Sequence, residues 1–119
     1  MSQGGTDAGE VIDLDHLRRM ALADPALERE VLQMFAVQAG GLIQELATLP
    51  ANAAVLAHTL KGSARAIGAA RVAETAAALE AAMRTSADIR GVVARLTEEV
   101  ERAQEAISSI LAVPAGDPR

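Results

Sequence analysis

The chain has 119 residues, half of them hydrophobic, with a formal net charge of −5. One domain is the expectation at this length. The charge argues against nucleic acid as a partner, and the absence of cysteine excludes disulfides and thiolate metal sites. Two histidines, His16 and His58, are too few for an ordinary histidine-rich metal site. No apolar run is long enough to cross a bilayer. The polar start MSQGGTDAGE does not read as a signal peptide, so the cytoplasm is the expected compartment.

Alanine dominates, Phe35 is the lone aromatic residue, and no stretch alternates in the manner of a strand. An all-α fold is expected, with residues 1–10 and 114–119 as disordered tails around a bundle over 11–113. The first helix is short, about 13–23, with Leu14, Leu17 and Ala21 on one face. Asp24 then caps a second helix that has Pro25 at its first position. Its stripe is Leu27, Val31, Met34, Phe35, Leu42 and Leu46. Gly40-Gly41 interrupts it, which predicts a kink or a close helix contact. Pro50 closes the segment and Asn52 is a candidate cap for the third helix, which ends at Gly68. The fourth helix spans about 70–84, with Val72, Ala76, Leu79 and Met83 in one stripe. Ser86 or Asp88 caps the fifth, whose stripe is Ile89, Val93, Leu96, Val100, Ala103, Ile107 and Ile110. Narrow stripes opposite charged faces predict an antiparallel up-down four-helix bundle preceded by the short helix. The expected core is Leu27, Val31, Phe35, Leu56, Leu60, Ile67, Leu79, Met83, Leu96 and Val100.

The third helix, NAAVLAHTLKGSARAIG, carries the chemistry. His58 is two residues from both Leu56 and Leu60, which at about 100° per residue places it about 160° from the apolar stripe. Lys61, Gly62 and Arg65 follow at i+3, i+4 and i+7, on the same outward face. A neutral imidazole is a nucleophile near pH 7 and can form a phosphoramidate. An ammonium one turn away can neutralise phosphoryl oxygens. A mid-helix glycine weakens the helix by about 1 kcal/mol relative to alanine but lets another molecule approach. Lys61 is the single lysine of the chain. No acidic residue lies between Leu46 and Ala73, so Lys61, Arg65 and Arg71 make that segment +3 and leave −8 for the rest of a −5 chain. A lone surface histidine is ordinarily just that, and His16, beside Arg18 and Arg19, is read so.

AHTLKGSARAIGA resembles the signature of histidine-containing phosphotransfer (HPt) domains, a histidine followed by Lys-Gly at i+3 and i+4 and a glycine at the helix end. LDHLRRMALADPALEREVLQMF is similar to the family's opening segment, and the run from Val72 to Arg84 to the helix after the phosphorylated one. The resemblance covers about residues 13–111. It implies that His58 is phosphorylated, that Lys61 stabilises the phosphoryl group and that Gly62 permits a receiver domain to dock. It implies a phosphocarrier between a hybrid sensor kinase and a response regulator, not an enzyme, with Mg²⁺ supplied by the receiver and no cofactor of its own. Arg65, with Ala54, Ala57 and Ala69 as apolar flanks, is expected to complete the docking surface of a monomer. Some members have Gln where Glu80 stands, placed to hydrogen-bond near the histidine; an ionised carboxylate only accepts hydrogen bonds, so Glu80 is given no phosphate-binding role. Many members have a proline-containing break where Gly40-Gly41 stands.

Two other functions compete. The phosphoacceptor and dimerisation part of a histidine kinase usually has an acidic residue directly after the histidine, where this chain has Thr59, and no Gly-rich ATP-binding segment is present. A helical adaptor without phosphorylation would leave the grouping of His58, Lys61 and Gly62 without a purpose.

Overall fold

The computed structural model of the protein describes residues 11–113. The expected terminal tails, 1–10 and 114–119, lie outside the described residues. The described chain forms five helices: α1 (Leu14–Met20), α2 (Pro25–Leu46), α3 (Ala53–Ile67), α4 (Ala70–Thr85) and α5 (Ile89–Leu111). α2 packs on α3 and α5, and α4 packs on the same two, closing a ring of four consecutive antiparallel helices. α1 lies across α2 and α3. This is the four-helix bundle with a short N-terminal helix.

The helix boundaries follow local chemistry. The Asp24 carboxylate accepts from the N–H groups of Ala26 and Leu27, and Pro25 occupies the first position, where its missing N–H costs nothing. Asp88, not Ser86, caps α5, accepting from Gly91 N–H at 3.0 Å. Ser86 instead ends α4 in a left-handed conformation. Asn52 is the residue before α3 but makes no side-chain cap. At the other end of α3, Gly68 has φ +85° and its carbonyl accepts from Asp13 N–H at 2.9 Å. Asp13 caps α1, so the end of α3 and the start of α1 are tied together. The Arg29 guanidinium donates to the carbonyls of Leu111 (2.8 Å) and Val113 (2.7 Å), meeting the negative end of α5.

α2 runs unbroken through Gly40-Gly41, so there is no helix break, and Gly40 alone marks a close contact. Gln104 of α5 lies against Gly40 and donates to the Ala36 carbonyl at 3.0 Å; a Cβ at Gly40 would sit 2.8 Å from its Nε2. Gly41 faces open space.

The core holds Phe35, Leu60, Ile67, Leu79, Leu96 and Val100 as expected. Leu27, Val31, Leu56 and Met83 are half-buried at its margin. Met34, placed on the stripe of α2, is exposed, and Leu32 is buried in its stead. Phe35, Leu42 and Leu46 of the same stripe are buried, so the phase of α2 stands; Met34, about 100° from Phe35, falls just outside the buried arc, and Leu32 falls inside it.

Candidate functional site

The buried stripe of α3 is Ala53, Ala57, Leu60, Ala64 and Ile67. That stripe turns His58 outward, its side chain 71% exposed. Ala54, Gly62 and Arg65 are exposed on the same side. An added Cβ at Gly62 would meet no atom within 4 Å, so nothing inside the molecule requires glycine there. The residue leaves backbone bare toward solvent.

Two expected flanks are corrected. Ala57 is fully buried and Ala69 nearly so. Ala57 lies three residues before Leu60 and seven before Ala64, on the core stripe itself. Ala69 closes the turn between α3 and α4, its N–H donating to Ala64 O at 2.8 Å. Neither side chain reaches the surface. The exposed large apolar side chains of α2 and α3 are instead Met34 and Val37 of α2 and Val55 of α3. An apolar groove of about 360 Å³ opens between α1, α2 and α3, with Met20, Leu27, Val31, Met34 and Ala66 among its walls.

Glu80 is the residue that sequence reasoning left out. It projects from α4 between His58 and Lys61, with its side chain 16% exposed. Its Oε2 accepts from His58 Nδ1–H at 3.0 Å, and its Oε1 binds Lys61 Nζ at 2.6 Å. The lysine is therefore largely covered and leans toward α4, not standing free beside the imidazole. The hydrogen bond from Lys61 holds the Glu80 carboxyl below its ordinary range; burial opposes this, and the hydrogen bond from His58 adds to the lowering.

The consequence for His58 follows from inventory. A carboxylate has only acceptors, so the shared proton belongs to Nδ1. The neutral ring then carries its lone pair on Nε2, which points away from Glu80. The arrangement is an exposed nucleophile whose tautomer and orientation are fixed by a carboxylate, itself fixed by an ammonium.

His16 lies elsewhere. Its Nε2–H donates to Ala66 O at 3.1 Å, satisfying one of the last carbonyls of α3, a structural task. Among the described residues no group of three or more His, Asp or Glu could hold a metal ion, and no helix is long and apolar enough to cross a membrane.

In comparisons with known proteins, the family model described as the Hpt domain matches residues 30–106, which include α3, α4 and most of α2 and α5. No curated protein matches the chain.

Proposed function

We propose, from the premise that this chain belongs to the Hpt-domain family, that it carries a phosphoryl group on Nε2 of His58 between the receiver domain of a hybrid sensor kinase and that of a response regulator. Membership brings with it a phosphotransfer role in a phosphorelay, with receiver domains and kinases as partners. The observation that supports the finer reading is the exposed Nε2 lone pair, with Nδ1–H committed to Glu80.

Loading begins when Nε2 attacks the phosphorus of a receiver's aspartyl phosphate. The N–P bond forms, the acyl P–O bond breaks, and the electron pair leaves on the aspartate carboxylate. The receiver supplies the aspartate and Mg²⁺, so this chain's part is to present and orient the nucleophile. Lys61 lies one turn away and can neutralise phosphoryl oxygens by giving up part of its contact with Glu80. The receiver docks over Gly62, Arg65 and Ala54, with Val55, Met34 and Val37 as the apolar flank. We place the relay in the cytoplasm, with the chain acting as a monomer.

The test is a time course of phosphate transfer from a phosphorylated receiver. The natural chain and His16→Gln should accept at the same rate, and Gly62→Gln should slow transfer in both directions by blocking approach. His58→Gln should accept nothing while keeping its helical content; acceptance by that variant overturns the assignment.

A further inference from the structure

Loading His58 has a counterpart that the lone pair on Nε2 does not explain: the phosphoryl group must also leave. We infer that Glu80 keeps the Nδ1 proton on the ring while Nε2 is phosphorylated, so that the group departs from a neutral imidazole, and that Lys61 moderates this hold by sharing the carboxylate. The inference rests on the reading of His58 as the phosphorylated residue.

The charge balance makes the need plain. A neutral imidazole that attacks through Nε2 and retains its Nδ1 proton becomes a cation bearing the phosphoryl group, while the receiver's carboxylate takes the electron pair. In onward transfer a receiver aspartate attacks phosphorus, the Nε2–P bond breaks, and its electron pair returns to Nε2. If Nδ1 has kept its proton, the leaving group is neutral imidazole. If Nδ1 has lost it, the leaving group is an imidazolate, far more basic and slow to depart. Whatever holds that proton sets the pH range in which the carrier can unload.

Glu80 is the group in place to hold it. Its Oε2 is 3.0 Å from Nδ1, on the side of the ring away from the phosphoryl position. An anion in that contact favours the cationic ring. It does so from a largely covered position, where screening by water is weakened. Lys61, 2.6 Å from the other oxygen, keeps the carboxylate ionised but also places a positive charge near the ring. Of the other charged residues on the elements packed here, Arg65 on α3, Arg71, Glu74 and Arg84 on α4, and Glu28, Arg29, Glu30 and Glu45 on α2, none makes a hydrogen bond or ion pair with these three groups. Glu80→Gln separates the two parts Glu80 plays: glutamine still accepts from Nδ1–H and fixes the tautomer, but carries no charge.

The experiment loads the chain with potassium phosphoramidate and follows the ¹⁵N resonances of the His58 ring against pH. In Glu80→Gln the pH at which phospho-His58 loses its Nδ1 proton should fall by about one unit relative to the natural chain. Lys61→Met should raise it. Onward transfer from Glu80→Gln to a receiver that exchanges phosphate with the natural chain should then lose about tenfold more rate relative to the natural chain at alkaline pH than at acid pH. An unchanged midpoint in Glu80→Gln overturns the inference and leaves the phosphocarrier reading standing. Should Glu80→Gln fail to load, Lys61→Met decides, and no upward movement there overturns it equally. A His58→Gln chain that loads like the natural one would instead overturn the phosphocarrier reading itself.

Discussion

Replacing Gly68 by alanine tests how the N-terminal helix is joined to the helix that bears His58. Two costs follow from the geometry. The position has φ +85°, which an L-residue adopts at a cost of roughly 1–2 kcal/mol. The new Cβ would lie 2.9 Å from the Asp13 carbonyl oxygen and 3.1 Å from its Cβ, both on or beside backbone with little freedom to yield. Moving Asp13 away strains its N–H bond to the Gly68 carbonyl, worth about 1 kcal/mol. Together these give a loss of about 2–3 kcal/mol, or on the order of 10 °C in Tm for a domain of this size. Urea unfolding followed by circular dichroism at 222 nm reads the change as a lower midpoint at constant slope. Gly41→Ala is the control of opposite sign. It has open space and an ordinary helical position, so the same assay should show stabilisation of up to about 1 kcal/mol. A Gly68→Ala protein within about 0.5 kcal/mol of the natural one would refute the reasoning, as would a Gly41→Ala protein destabilised to the same degree.

Phe35→Ala should cost about 3–5 kcal/mol by the same urea assay, because the one aromatic ring is 2% exposed and its removal leaves a cavity among close-packed helices. The Glu80 carboxyl, lowered in the folded protein, contributes stability that is fully present above its unfolded value and is lost as pH falls through the folded one. Acid titrations of stability should therefore be shallower in Glu80→Gln than in the natural chain over that acidic window. Lys61→Ala should slow transfer from a phosphorylated receiver while binding measured separately falls only modestly. Raised salt should weaken natural transfer but affect Arg65→Ala less, since exposed charges act mainly on association.

The outward face of α3 was legible from spacing alone because one helix's periodicity decides it: Leu56 and Leu60 fix the phase, and His58, Gly62 and Arg65 follow. The Asp24-Pro25 start of α2 and the Gly68 end of α3 were legible because each depends on residues within a turn of the boundary. Glu80 was not, since its meeting with His58 is set by how α4 is rotated against α3 across 22 positions of chain. A signal existed in its place next to Leu79 of the α4 stripe, which puts it at the edge of the helix seam. The acceptor-only chemistry that argued against a phosphate contact is the chemistry an Nδ1–H requires. Ala57 and Ala69 were misplaced because alanine fits either side of a helix. The offsets from Ala57 to Leu60 and Ala64 mark it as core, whereas the burial of Ala69 depends on the turn it closes. The identity of partners has no such local signature, because the surface they cover is shaped by several helices at once.

The central claim is that one phosphoryl group resides on Nε2 of His58. Phosphorylating the chain from a phosphorylated receiver and locating the group by ¹H–³¹P correlation and mass mapping tests it most directly. The account predicts one acid-labile phosphoryl group per chain, coupled to the His58 ring through Nε2, and none on His58→Gln. A group attached to Nδ1, or one found on His16 or on a hydroxyl while His58 remains unmodified, would contradict it.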